Sequence, residues 1–164
     1  MTTPETVLVL ATGGTIDKQY FDALSRYQIA DSVIPKLLSV ARVTQPVEFE
    51  TMLHKDSLDL TDADRALIVE RVRRSASRHV VITHGTDTMT DTARALASIT
   101  DKTIVLTGAL APARFQETDA PFNLGMAFAA AQTAPAGVYV AMNGSVFRWD
   151  EVAKDRAQQQ FVRI

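Results

Sequence analysis

Short apolar, β-branched runs recur along the chain at Val7–Ala11, Val47–Met52, His79–Thr83, Thr103–Thr107 and Gly137–Met142, each closed by glycine or polar residues. Most of them are nearly continuous rather than alternating, so they suit strands buried on both faces. The stretches between them carry helical spacing. Asp31 reads as a cap before Val33, Leu37, Leu38 and Val40–Ala41, with Pro35 tolerated in the first turn. Thr61 and Asp64 form a capping-box pair before Leu67, Ile68, Val72 and Ala76. Thr88 and Asp91 repeat the device before Ala93 and Leu96, and Asn123 precedes Leu124, Met126–Ala127 and Ala130–Ala131.

Strands that alternate with helices pair in parallel, because each crossover helix returns the chain to the same end of the sheet. The expected fold is therefore α/β: a doubly wound, mainly parallel sheet with helices on both faces, a three-layer sandwich of Rossmann or flavodoxin-like kind. A chain of 164 residues fits one such domain, residues 1–164. Phe161-Val162-Arg163-Ile164 reads as an ordinary end strand, so the chain is expected to be complete.

Composition then removes whole classes of function. A net charge of -2 lacks the basic footprint of a nucleic-acid binder, and Arg71, Arg73, Arg74 and Arg78 read as a solvated helix face. The chain has no cysteine, which excludes disulfides, thiolate nucleophiles and zinc–thiolate sites. The three histidines, His54, His79 and His84, have no metal-ligand spacing, so neither metal nor cofactor is expected. Met1 to Thr6 has no basic stretch leading into a long apolar run, and Val7–Ala11 is too short to serve as a secretion signal or membrane span. Cytoplasmic location is expected, with no membrane partner.

In a doubly wound sheet, sites lie beyond the carboxyl ends of the strands. Two segments meet that condition. Val7–Ala11 runs into Thr12-Gly13-Gly14-Thr15-Ile16, whose glycines permit either a tight turn or close approach of a ligand to peptide nitrogens. No Gly-Lys-Ser/Thr comes after it, so it is not a Walker loop. His79–Thr83 runs into His84-Gly85-Thr86-Asp87-Thr88-Met89. Its Thr-Asp-Thr alone reads as a helix cap, but two hydroxyl-rich strand ends in one short domain point to a site. His84 is a candidate general base, although a buried, hydrogen-bonded structural histidine is the better reading.

These two segments resemble the signature motifs of the bacterial-type L-asparaginase/glutaminase family. Lys55-Asp56-Ser57-Leu58-Asp59-Leu60-Thr61 is similar to the family's substrate-binding loop. Gly108-Ala109 with Asp119-Ala120-Pro121-Phe122-Asn123-Leu124 is similar to its central region. Met142-Asn143-Gly144, with Lys154 beyond it, resembles the segment that supplies the catalytic lysine. Order and spacing agree from about Val7 to Lys154. The resemblance implies Thr12 as nucleophile and Thr86, Asp87 and Lys154 as a hydroxyl–carboxylate–amine relay. It implies a substrate held by Gly13, Ser57, Thr86 and Asp87, with Ser57 at the substrate's carboxylate. For the mobile-loop tyrosine, Tyr27 matches through the residues after it, while Tyr20 lies nearer to Thr12. The chemistry is coherent: a threonine hydroxyl becomes a nucleophile only when a neighbour takes its proton, and the tetrahedral intermediate needs donors already in place.

The implied reaction is hydrolysis of L-asparagine to L-aspartate and ammonia. Two departures stand out. The family ordinarily carries a second, C-terminal domain that completes the pocket around the substrate's ammonium, and nothing in this chain corresponds to it. Leu58 also stands where Gln or Ser is common. A homodimer or homotetramer is expected to supply the missing wall. The alternative is a non-catalytic or regulatory domain that binds an amino acid. A flavin module is more remote, because aromatic residues are only 7% of the chain.

Overall fold

The computed structural model describes residues 4–164, so Met1 to Thr3 of the N-terminal stretch lie outside the described residues. The chain forms β1 (Val7–Gly13), β2 (Lys18–Phe21), β3 (Arg26–Ile29), α1 (Ile34–Val40), β4 (Val47–Lys55), α2 (Asp62–Arg74) and β5 (His79–Thr83). It continues through α3 (Met89–Leu96), β6 (Thr103–Thr107), α4 (Ala120–Thr133), β7 (Gly137–Met142), β8 (Ser145–Arg148), β9 (Val152–Asp155) and β10 (Gln160–Arg163).

Six strands make one sheet in the order β4-β1-β5-β6-β7-β8. Pairing is parallel through β7, and β8 folds back antiparallel at the edge. The expected fold class is therefore present. From β1 the chain leaves to one side for β4 and returns to the other side for β5, so the strand order reverses between β1 and β5. That switch point is where an open α/β sheet leaves a crevice at its carboxyl ends.

Alternation along each strand sends side chains to opposite faces. Leu8, Leu10, Val80, Ile82, Ile104 and Leu106 pack under α2 and α3 with Ile68, Val72, Ala93 and Leu96. Val7, Val9, Val81 and Val105 pack under α1 and α4 with Ile34, Leu124, Ala127 and Ala131. The hairpin of β9 and β10 lies on the α2/α3 side, with Val152 and Phe161 buried in that core.

Several expected caps take other forms. The Thr61–Asp64 capping box is present, with Asp64 N–H donating to Thr61 Oγ1 at 3.2 Å and Thr61 N–H donating to Asp64 at 2.9 Å. Asp31 is not the cap of α1. That helix begins after Val33, with Pro35 in its first turn, and its first N–H, on Ile34, donates to Ser32 Oγ at 3.3 Å. Thr88 precedes α3 but makes no side-chain cap, since its hydroxyl donates instead to the Ser57 carbonyl at 2.7 Å. Asn123 lies inside α4 rather than before it, and its amide donates to the Gly108 carbonyl at 2.9 Å. Asp119 precedes that helix and accepts from the N–H groups of Leu110 and Ala111 at 3.0 Å, which fixes the loop after β6.

Of the arginine cluster, Arg71, Arg73 and Arg74 lie on α2, whereas Arg78 lies beyond it in the turn before β5, so the expected helix face holds only the first three. Arg71 bridges Glu48 and Glu50, and Arg74 pairs with Glu70. Among the described residues, no helix is long and apolar enough to cross a membrane.

Candidate active site

Three strand ends converge at the switch point. β1 delivers Thr12 and Gly13, with Gly13 opposite Lys55 of β4. The turn after β4 delivers Ser57, on a short 3-10 segment capped by Asp56, whose carboxylate accepts from the Leu58 N–H at 3.3 Å. The turn after β5 delivers Gly85, Thr86 and Asp87. The turns touch because glycine leaves room. A methyl group on Gly14, whose φ is +82°, would lie 2.5 Å from Gly85 Cα, and one on Gly85 would lie 2.6 Å from Ser57 Cβ. Neither contact is tolerable, so larger residues there would force the loops apart. The main chain closes the set, with Gly14 N–H donating to the Lys55 carbonyl at 2.9 Å.

Lys154 arrives from β9, outside the main sheet. Its Nζ donates to Thr86 Oγ1 and to Asp87 Oδ1, both at 2.7 Å. The lysine side chain is only 13% exposed, against 35% for Asp87. Thr86 is buried as well. The hydroxyl, carboxylate and amine picked out from sequence thus form one bonded cluster, although 68 positions separate Lys154 from Thr86.

Thr12 and Ser57 are each 1% exposed. Thr12 Oγ1 donates to the Thr83 carbonyl at 2.8 Å, so its proton faces the main chain rather than a base. Ser57 Oγ is buried without a hydrogen-bond partner, as is Thr83 Oγ1. An unpaired buried hydroxyl costs free energy, on the order of 1–3 kcal/mol, unless something else fills its bonding capacity. Such a group beside a site is therefore a natural contact for a polar ligand.

Tyr27 is not brought to Thr12. It lies in the β2–β3 hairpin, directly across from Tyr20, with ring centroids 5.2 Å apart and Phe115 6.0 Å beyond. Both tyrosines are about half exposed and share one face of the hairpin, so the sequence choice between them was between neighbours. The hairpin is held at its root. Ala30 N–H and Arg114 Nη1 donate to the Asp17 carbonyl at 2.9 and 3.0 Å, and Val33 N–H donates to the Asp17 carboxylate at 3.0 Å. Burial pushes the Asp17 carboxyl above its ordinary pKa.

His84 is buried and structural, as the sequence favoured. Its Nδ1 faces the Gly85 carbonyl and its Nε2 faces Thr92 Oγ1, each at 2.7 Å. Nδ1 therefore carries the proton and Nε2 accepts from the threonine. Burial, helped by the nearby Arg65 charge, depresses its pKa to about 4. This neutral ring braces the turn that carries Gly85 and Thr86.

Sequence reading missed three supports of the site. The Thr83 carbonyl is main chain and leaves no sequence signal. Thr88 was legible as a cap, but not as the link to Ser57. Arg156, two residues beyond Lys154, donates through Nη2 to the Asp87 carbonyl at 3.5 Å. Proximity to Lys154 on one hairpin was the available signal. A wide cleft between α2 and α3, away from these residues, is lined by Arg65, Arg73 and Arg94 with Asp62, Glu70 and Asp91. Its charges largely cancel through Arg65–Asp62 and Arg94–Asp91 pairs, so it does not compete as a site.

Fold and geometry together define a doubly wound α/β protein with a hydroxyl–carboxylate–amine cluster at its switch point. The chain belongs to the asparaginase family: the model of the asparaginase N-terminal region matches residues 6–161. It is 34% identical over 166 residues to a glutaminase-asparaginase of Acinetobacter glutaminasificans, covering 90% of this chain and 49% of that protein. It is 32% identical to L-asparaginase 2 of Escherichia coli strain K12, covering 90% of this chain and 46% of that protein. The thermostable L-asparaginase from Thermococcus kodakarensis superposes with a TM-score of 0.84 at 29% identity, covering 97% of this chain and 51% of that one. The chain thus spans about half the length of these relatives.

Proposed function

We propose that this chain acts as an L-asparaginase-type amidohydrolase through its N-terminal-type domain, with a small carboxamide such as the side chain of L-asparagine as substrate. Thr12 Oγ adds to the amide carbonyl, and its proton passes through the Thr86–Asp87–Lys154 cluster to the departing nitrogen. The carbon–nitrogen bond breaks and ammonia leaves. Water then cleaves the threonine ester to give the carboxylate, aspartate where asparagine is the substrate, and restores the hydroxyl. Gly13, Ser57, Thr86 and Asp87 hold the substrate, and peptide N–H groups of the glycine turn face the developing oxyanion. Tyr27 acts from the hairpin, which must bend toward Thr12 for it to do so.

The observation that carries this reading is the Lys154 ammonium bonded at 2.7 Å to both Thr86 and Asp87. A largely buried lysine joined to a hydroxyl and a carboxylate beside an open strand end serves proton transfer better than it serves stability, since burying charge is costly. The family membership agrees with it. The second reading, a non-catalytic amino-acid-binding domain, is favoured by the Thr12 hydroxyl donating to a carbonyl. Ammonia release from L-asparagine separates the two. Hydrolysis that disappears in Thr12→Ala, with the fold retained, supports the enzyme. Retained binding of aspartate without turnover in the unmutated protein supports the binding domain. Cytoplasmic location and self-association as a dimer or tetramer complete the proposal.

A further inference from the structure

Thr88 stands where a threonine normally caps a helix, and it does not cap. At the N-cap position of α3 its hydroxyl would ordinarily accept from one of the first helical N–H groups, yet it makes no such bond. It donates instead to the Ser57 carbonyl at 2.7 Å, across 31 positions of sequence. The Thr88 main chain stays tied to the helix, since its carbonyl accepts from the Asp91 and Thr92 N–H groups at 3.1 and 3.2 Å. Thr92 in turn is bonded to His84, which braces the turn of Gly85 and Thr86. One residue thus fastens the turn after β4 to the helix that follows the turn after β5. A local preference given up in this way answers a demand of the site rather than of the helix.

Ser57 is the residue that gains. Its buried hydroxyl has no partner, so only the main chain of its own turn fixes where that hydroxyl sits. The Ser57 carbonyl accepts from two groups: the Leu60 N–H at 3.3 Å within the same turn, and Thr88 at 2.7 Å from outside it. Lys18 also reaches the turn, at Asp56, but from the largely exposed β2–β3 hairpin. Thr88 is therefore the restraint that comes from the packed body of the domain. The hydroxyl it restrains lies against the other half of the site, since a methyl group on Gly85 would stand 2.7 Å from Ser57 Oγ. A shift of the Ser57 turn changes the distance from that hydroxyl to Thr86 and Asp87.

We propose that Thr88 is a positioning residue that holds the Ser57 hydroxyl at a fixed distance from the Thr86–Asp87–Lys154 cluster. This inference rests on the proposed function for the two parts it joins, the Ser57 contact to the substrate's carboxylate and the cluster that acts on the amide. A substrate carrying both groups engages both turns at once, and a misplacement of about 1 Å between them can cost ~10²-fold. Thr88 acts through Ser57 and touches none of the reacting atoms.

The test uses Thr88→Val and Thr88→Ala, which remove the donor, and Thr88→Ser, which keeps it. Ser57→Ala is made alone and combined with each donor-less variant. Ammonia release from L-asparagine is followed beside calorimetric binding of L-aspartate in the Thr12→Ala background. Loss of the donor should raise KM and the dissociation constant by ~10-fold while kcat changes by less than ~3-fold, because one hydrogen bond leaves recognition and none leaves the relay. Thr88→Ser should return both constants to within ~2-fold of the unmutated values, since serine supplies the same donor. In the Ser57→Ala background the same loss should change neither constant by more than ~2-fold, because residues that act through one another are not additive. Equal penalties with and without Ser57, or a fall in kcat at constant KM, would overturn the inference and leave Thr88 a structural residue. If no ammonia appears but L-aspartate binds with this Ser57-dependent pattern, the reaction is wrong and the positioning stands. If L-aspartate does not bind, or neither donor-less variant folds, the positioning fails as well.

Discussion

Lys154 holds Thr86 and Asp87 with a single ammonium, so these residues should act as one unit. Thr12→Ala and Thr86→Val are each expected to lower ammonia release by at least ~10³-fold, and the double variant should be little worse than either, because members of a unit are not additive. Lys154→Met should be equally inactive. Lys154→Arg should not recover activity, since a guanidinium keeps its proton; turnover near that of the unmutated protein would reduce Lys154 to an electrostatic role. His84 gives a prediction about stability instead. Its folded pKa of about 4 lies below the ordinary value of 6.5. Between those values the unfolded chain binds a proton that the folded chain refuses, so stability falls as pH falls. The slope reaches ~1.4 kcal/mol per pH unit, or about 2 kcal/mol between pH 7 and pH 5. Urea denaturation at the two pH values measures it, and His84→Gln should flatten the difference. At this scale the candidate site was only partly legible. Thr12, Thr86 and Asp87 stood at strand ends where physics alone draws attention. Lys154 came only from family resemblance, because its strand belongs to a separate hairpin with no apolar pattern to place it.

The elements divide in the same way. β1, β5, β6 and β7 were readable because burial on both faces demands nearly continuous apolar residues. β2 and β3 were not. Lys18–Phe21 and Arg26–Ile29 pair only with each other and stay largely exposed, so no core pattern marks them. β8 was hidden likewise at the sheet edge. The cap of α2 was readable and reaches further than a helix end, since Asp64 also binds Lys55, whose carbonyl accepts from Gly14. Thr61→Ala is expected to cost ~1 kcal/mol in chemical denaturation, the usual loss of a helix N-cap. The Lys55 ammonium and the Thr61 N–H hold the Asp64 carboxyl at about 2. That contribution is present above the ordinary aspartate value of 3.8 and fades as pH drops toward 2. Asp64→Asn should therefore narrow the gap between neutral and acid stability.

At the scale of the whole molecule, the crevice beyond β1 and β5 needs a second wall. Water must be kept from the cluster if its electrostatics are to act strongly. The proposed self-association would supply such a wall by packing a second copy of this chain with closed symmetry. Activity per chain should then fall on dilution in step with dissociation of a dimer or tetramer. Sedimentation and ammonia release across one dilution series would check this, and a fully active monomer would show that the β2–β3 hairpin suffices.

The entry of Lys154 from β9 also ties the site to completion of the fold. Domains generally fold as units, and Val152 and Phe161 of the β9–β10 hairpin are buried in the core beneath α2 and α3. Thr86 and Asp87 therefore receive their ammonium only when that hairpin has closed on the finished sheet. A chain cut short before β9 would carry both residues with no amine between them, so the cluster serves as a mark of a chain folded to its end.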